Sequence, residues 1–299
     1  MKLARCIDGR VGLIRGPTGA ETFHDASAIR ERLPPQRWPL PAGDLLIAAL
    51  PELRAELERL ANGARAEPAS ALRFASPVAN PSKIIGAPIN YVEHAEESRR
   101  DPGISHGRKI TGIADMGLFL KASSALAGAG EGVALRRTDR RNDHEVELAL
   151  GIGRGGTRIA EADALGHVAG YAIGLDMTVR GSEMPSFRKS VDTYAVLGPW
   201  LVTADEIPDP GALRLRLSVN GEKRQDSSTA KLDFGVARLV AYAASMYTLH
   251  PGDIIMTGTP AGVGPVRPGD EMVAEIERIG TMRVAVRAAT GEAVSGTAG

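Results

Sequence analysis

His167-Val168-Ala169-Gly170-Tyr171-Ala172-Ile173-Gly174-Leu175-Asp176 is the stretch whose reading decides the fold. From Val168 to Leu175 no side chain is charged, so the segment reads as a strand buried on both faces. It ends in Asp176, which emerges at the strand's tip, and an acid beside a buried strand needs a partner. Outward from it, strand-like segments recur at 83–89, 117–121, 146–152, 196–202, 213–219, 253–257, 271–278 and 281–287, many divided by glycine or proline. That spacing, with one helix expected around 233–249, gives an α+β, β-rich class: a sandwich or roll carrying functional loops.

Before residue 80 the style differs. Short apolar runs from Lys2 to Phe23, punctuated by Asp8-Gly9 and Gly16-Pro17, suggest small hairpins. Leu46, Leu50, Leu53, Leu57 and Leu60 recur at helical spacing, with Pro51 expected to break or restart the helix, and the stripe reads as core packing. Pro68 to Pro81 reads as a linker, which divides the chain into a small N-terminal α/β domain, 1–75, and a larger β-rich domain, 76–299. The segment 98–116 is polar, bears glycine and has no steady period, which suits a lid beside a site.

Composition narrows the functions. Lysine plus arginine and aspartate plus glutamate both count 36 in 299 residues, so no electrostatic footprint for nucleic acid or an anionic membrane is present. The one cysteine, Cys6, excludes an intramolecular disulfide framework and a multi-cysteine zinc site, and fits a reducing compartment. No run approaches the ~20 apolar residues of a membrane span, and the N-terminus lacks a signal-peptide core. A soluble, cytoplasmic protein is the expectation.

Asp143-His144-Glu145-Val146-Glu147-Leu148 puts two carboxylates on one face as an apolar strand begins. Alone, that pair fits a solvated edge strand at least as well as a binding site. Asp176 shifts the balance, because three hard oxygen ligands without cysteine or an H-x-x-x-H pair favour Mg²⁺ or Mn²⁺, with Ca²⁺ also compatible, over zinc. Three protein ligands leave coordination positions open for water and a chelating substrate, which is a catalytic arrangement.

At this point the chain resembles the fumarylacetoacetate hydrolase superfamily. The resemblance rests on Asn90-Tyr91-Val92-Glu93-His94-Ala95-Glu96-Glu97, Phe119-Leu120-Lys121, His144 to Leu148, Leu175-Asp176-Met177-Thr178-Val179-Arg180, Lys189-Ser190-Val191-Asp192-Thr193, Val219-Asn220-Gly221-Glu222, and the run from Gly252 to Gly264 containing Thr257-Gly258-Thr259-Pro260. It implies a mixed β-roll with a smaller N-terminal domain, a homodimer, and a metal on Glu145, Glu147 and Asp176. It also implies an acid/base pair at His94 and Glu97, three residues apart and therefore neighbours on a helix. Arg180, Lys189 and Thr259 become substrate-facing, Lys189 with a share in stabilising enolate charge. Glu183 stands where acylpyruvase-like members carry glutamine, in a substrate-binding position where an acid would repel a second carboxylate.

The function this implies is hydrolysis of a carbon–carbon bond in a 1,3-diketo (acylpyruvate-type) acid in aromatic-compound catabolism. Decarboxylation of a 2-oxo diacid and isomerisation or hydration of a 2-hydroxydienoate remain open on the same scaffold. A non-catalytic protein binding a metal and an oxo acid, or a Schiff-base enzyme using Lys189, are readings from other classes.

Overall fold

The apolar run forms the strand Val168–Asp176, buried except at Ala169. It pairs antiparallel with Val146–Ile152 on one side and Ala195–Thr203 on the other, so its backbone groups are satisfied in both directions. The computed structural model describes residues 1–291. From this centre the sheet runs one way through Ile254–Met256, Ile84–Gly86 and Phe119–Lys121, and the other way through Lys2–Cys6, Val11–Arg15, Thr22–Asp25 and Ala66–Pro68. Leu126–Ala127 pairs Ala195–Thr203 and Phe74–Ala75 pairs Lys2–Cys6, which completes twelve strands.

This sheet cannot be flat. Phe119–Lys121 and Leu126–Ala127 sit at opposite ends of a path of six ladder steps, about 29 Å if laid out at ~4.8 Å per step. Only residues 122–125 join them, and their five Cα steps span at most about 18 Å. The strands between must therefore curl until the two ends approach. Side-chain size follows the curl. Ala149, Ala172 and Ala195 face Ile84, Ile254 and Met256 in one apolar cluster. The opposite face carries Leu148, Leu150, Ile173, Leu175 and Val202, packed with Leu215, Leu217, Met272 and Val284 from a five-stranded sheet. That second sheet is Glu222–Ser228, Arg214–Val219, Glu271–Ile276, Gly280–Ala288 and Val133–Leu135, in that order.

The result is a strand-rich α+β fold with open sheets. The leucine stripe forms two helical pieces, Leu45–Ala48 and Leu50–Gly63, with Pro51 in the first turn of the second, where its missing N–H costs nothing. Asp44 caps the first piece, its Oδ1 accepting from the Leu46 and Ile47 amides at 2.9 and 3.2 Å. The expected helix near 233–249 is Val236–Met246.

One expectation needs correction, and two further elements gave no clear sequence pattern. The segment 68–81 is not a bare linker, because Phe74–Ala75 is itself a strand and the Ser76 carbonyl accepts from Arg5 at 2.8 Å. Val92–Arg100 is a helix that the polar pattern concealed. Glu222–Ser228 is an exposed edge strand whose polar residues gave no alternation to read. The pairing also crosses residue 75: Lys2 and Leu3 align with Val202 and Leu201, and Leu3, Leu13, Ile47 and Leu57 share the cluster with Ala149 and Met256. A chain starting at residue 76 would leave that cluster open and the Ala195–Thr203 edge without Lys2–Cys6. It is expected to show no cooperative thermal transition by circular dichroism, and a sharp transition in the truncated chain would refute this.

Candidate metal centre and active site

The register of the two central strands builds the centre. Glu147 aligns with Gly174 and Val146 with Leu175, and the Asp176 amide donates to the Glu145 carbonyl at 2.9 Å. Glu145 and Asp176 therefore face each other across the ladder. Glu147 lies two residues on, opposite a glycine that leaves it lateral room. Since Val146, Leu148 and Leu175 fill the outer core, all three acids turn the other way. One oxygen from each lies within 4.8 Å of the others, and the residues are only 4%, 1% and 1% exposed.

Three buried carboxylates at this range repel by ~3–4 kcal/mol per ionised pair, at an effective dielectric of ~20. Cations offset part of that. Lys189 Nζ donates at 2.7 Å to each of Glu145 Oε2, Asp176 Oδ2 and Thr178 Oγ1. Lys121 Nζ binds Asp176 Oδ1 from the far edge of the curled sheet. Arg180 bridges Asp143 at 2.7 Å and Glu145 at 2.9 Å. Burial pushes the Glu145 carboxyl up, but Lys189, then Arg180 and His94, override it and hold the group well below the usual range.

Glu147 has no such partner. Its only hydrogen bond among the described residues is from the Gly258 amide, at 2.6 Å. Burial, then the charges of Asp176 and Glu145, push it well above its ordinary 4.5. A set of hard oxygen donors with one acid short of counter-charge fits a divalent cation held by Glu145, Glu147 and Asp176.

His94 and Glu97 lie on Val92–Arg100, one turn apart. His94 Nδ1 meets Glu97 Oε2 at 2.9 Å, while Glu97 Oε1 accepts from the Gly262 amide at 2.9 Å. The carboxylate is thus fixed, and with Nδ1–H donated to it, Nε2 is the nitrogen left to take a proton. Asn90 anchors the helix start by donating to the Phe234 and Thr257 carbonyls at 2.9 and 2.8 Å and accepting from the Phe234 amide at 2.7 Å. His94, Glu145, Arg180 and Lys189 line one cavity of about 100 Å³. The segment expected to be a lid supplies another wall through Ile104, Arg108, Lys109 and Met116, and is ordered by short helices, Pro102–Ser105 and Ile113–Met116.

Two expected substrate contacts do not reach this cavity. The Glu183 carboxylate is half-buried and held by both terminal nitrogens of Arg140 at 2.9 Å, which keeps its pKa down at about 2. The Thr259 hydroxyl is occupied, donating to the Val146 carbonyl and accepting from Gln225, both at 2.8 Å. Lys189 lines the cavity, but its three protons are spent on protein oxygens, so it offers a ligand charge rather than a free donor. Sequence reasoning assigned no role to Lys121, Asp143, Thr178 or Gln225. All four stand in or near strands where a polar residue ordinarily means the solvated face, yet all are buried: the curl of the large sheet turns Lys121 inward, while Asp143, Thr178 and Gln225 lie on strands outside that sheet.

Residues 83–287 match the family model described as fumarylacetoacetate (FAA) hydrolase C-terminal. The chain belongs to the fumarylacetoacetate hydrolase family. It is 53% identical over 289 residues to a maleylpyruvate hydrolase from Aquipseudomonas alcaligenes, covering 96% of this chain and 99% of that one. A solved maleylpyruvate hydrolase from Sphingobium sp. SYK-6, in complex with manganese(II) ion and pyruvate, superposes with a TM-score of 0.79 at 36% identity, covering 97% of this chain and 100% of that one. Family membership reaches wider chemistry too: a mitochondrial oxaloacetate tautomerase from Bos taurus is 35% identical over 228 residues, 72% of this chain and 69% of that one.

Two outcomes follow for this member of the family. Because the folded pKa of Glu147 is raised, the metal-free protein loses stability as pH rises from the ordinary carboxyl range through that value. Glu147→Gln removes this loss, so at neutral pH with EDTA its Tm should rise by about 2–5 °C while the Tm gain on adding Mn²⁺ disappears. An unchanged Mn²⁺ response would remove Glu147 from the ligand set. Glu183→Ala should leave KM within about 2-fold, as expected for a surface pair that touches no ligand; a KM increase of tenfold would put its carboxylate back in the site.

Proposed function

We propose that this protein is a divalent-metal-dependent hydrolase that cleaves the carbon–carbon bond of an acylpyruvate-type 1,3-diketo acid in the breakdown of aromatic compounds. The observation that carries the reading is His94, oriented by Glu97, lining the same small cavity as Glu145 of the carboxylate centre. A centre with metal alone would suffice for enolate chemistry, whereas hydrolysis also needs a base for water. The names of the 53% relative and of the Sphingobium complex, in which pyruvate is bound, support pyruvate as one product.

When bound by Glu145, Glu147 and Asp176, the ion supplies Lewis-acid polarisation of the 2-oxo acid end. The chain's own groups do the rest. His94 Nε2 takes a proton from water, and Glu97 steadies the imidazolium that results. The water oxygen bonds to the distal carbonyl carbon, and the bond from that carbon to the methylene breaks. The electron pair moves into the pyruvate enolate, which takes up a proton to give pyruvate, while the acyl half leaves as a carboxylic acid. Lys189 and Arg180 supply fixed positive charge beside the developing enolate without reorganising, because Glu145, Asp176 and Asp143 already hold them in place.

The reading extends to Mg²⁺ or Mn²⁺ as the ion, and to a homodimer in the cytoplasm. The buried thiol of Cys6 suits a reducing compartment. Met184 and Phe187, 71% and 72% exposed beside cavity-lining Pro185 and Arg188, suit contact with a second copy.

Incubated with Mn²⁺ and acylpyruvates, the protein should release pyruvate, and EDTA should stop it. His94→Ala should lower kcat by ~10²–10⁴ while keeping the Mn²⁺-induced rise in Tm. Wild-type rates in that variant would sink the mechanism, and carbon dioxide from oxaloacetate without acylpyruvate cleavage would favour decarboxylation instead.

A further inference from the structure

Gln225 is the one fully buried residue of the edge strand Glu222–Ser228, whose other side chains are exposed or half-buried. A bulge turns it inward: Leu217 pairs with Gln225 but Ser218 with Lys223, so Arg224 is an extra residue that the partner strand does not match. Burying a primary amide is costly unless its donors and acceptors are met. Here all are met. Oε1 accepts from the Val146 amide and from His144 Nδ1, both at 3.1 Å, and Nε2 donates to Thr259 Oγ1 and the Pro260 carbonyl at 2.8 and 2.9 Å. The Val146 amide can only donate and the Pro260 carbonyl can only accept, so the side chain has a single orientation and no bond left for a ligand.

The two sides of this amide belong to different parts of the site. His144 and Val146 flank Glu145, on the stretch that carries two of the three acids of the centre. Thr259 and Pro260 belong to the segment 257–263, which is neither helix nor strand and turns at Gly258 and Gly262 with φ of 97° and 99°. Two amides of that segment hold acids: Gly258 donates to Glu147, and Gly262 to Glu97, which orients His94. The segment leans on the bulge as well, since a Cβ on Gly262 would run into the Arg224 carbonyl. Thr259 adds a second tie by donating to the Val146 carbonyl.

We infer that Gln225 is a positioning residue: by clamping segment 257–263 to the strand of Glu145 and Glu147, it sets the place of the His94–Glu97 pair relative to the carboxylate centre. Its effect on turnover rests on the hydrolase reading, whereas the clamp itself stands on the hydrogen bonds alone. Without the clamp the segment keeps two glycine turns and few restraints, so Glu147 and Glu97 each lose a fixed amide donor. Residues that hold ligands or bases in place from behind typically matter ~10–100-fold in metal affinity or activity. Gln225 acts in that way, because its four partners include none of the acids and not His94.

Three variants test this. Gln225→Met keeps the volume and removes all four bonds, Thr259→Val cuts the tie to the segment, and Thr259→Ser restores the hydroxyl. In the metal-free protein, amide hydrogen exchange over residues 257–264 should speed up at least ~10-fold in Gln225→Met and Thr259→Val, and stay at the wild-type rate in Thr259→Ser. The first two should also weaken Mn²⁺ binding by ~10-fold in calorimetry and lower kcat at saturating Mn²⁺ by ~10–100-fold with KM within about 3-fold, and Thr259→Ser should recover both. A drop in Tm alone, with segment exchange, Mn²⁺ affinity and kcat as in the wild type, would make Gln225 a packing residue and overturn the inference. If Gln225→Met does not fold, the Thr259 pair decides in the same way. Release of no pyruvate from an acylpyruvate by the wild type would instead defeat the hydrolase reading, and exchange and Mn²⁺ binding would still decide the clamp.

Discussion

Three carboxylates share one buried face of a curled sheet, and that constraint organises much of the rest of the chain. Each acid is placed by strand register alone: Glu145 against Asp176, Glu147 beside a glycine. Register cannot also supply their counter-charges, because neighbouring ladder positions on that face are small or apolar. The cations come from elsewhere, Lys121 from the far edge of the sheet and Arg180 and Lys189 from the segment after Asp176. Lys121 can reach only because residues 122–125 force the sheet's edges together. The curl that closes the core and the curl that balances the charge are the same.

Such an arrangement is poor value for stability. Buried ion pairs roughly break even against apolar groups of the same volume, and removing one partner leaves a stranded charge. Here the balance is deliberately incomplete. Glu145 and Asp176 are saturated with donors, while Glu147 receives a single amide proton, so its repulsion is what an arriving cation relieves. The same logic recurs on the lid-side wall with the sign reversed, where Arg188 is buried without an acid. The carboxylate centre lacks a cation and the lid-side wall of the adjoining cavity lacks an anion, which suits a site completed by an ion and an anionic ligand together.

How far these features were legible in the sequence depends on the range of the interaction behind them. Glu145, Glu147 and Asp176 could be read because period two and a strand end are local properties. The His94–Glu97 contact was legible as a spacing, although the helix that realises it was hidden by its polar residues. Lys121 was not, since its partner is 55 residues away and a lysine in a strand ordinarily means solvent. Glu183 and Thr259 were placed by resemblance, and local partners decided otherwise: Arg140 captures one, and Gln225 with the Val146 carbonyl occupies the other. The continuity of the sheet across residue 75 was equally invisible, because composition changes there while strand pairing does not.

The distinction between the fixed and the free cations bears on how one scaffold serves several chemistries. Lys189 and Arg180 are locked by acids and Thr178, so any ligand entering the cavity meets the same preset field at the carboxylate centre. That part suits every reaction that passes through an enolate, whether hydrolysis, decarboxylation or tautomerisation. What selects among them must lie in groups that are not spent on the protein itself. His94 Nε2 is one, because on the proposed hydrolase reading it is the group that activates water. Arg188 and Lys109 are others, since both line the cavity without an ion pair among the described residues. Both sets ride on the segments flanking the roll, Val92–Arg100 with the lid and Pro185–Arg188, while the rigid strands hold the common chemistry. Specificity can therefore change in those segments without disturbing the charge balance on which the fold depends.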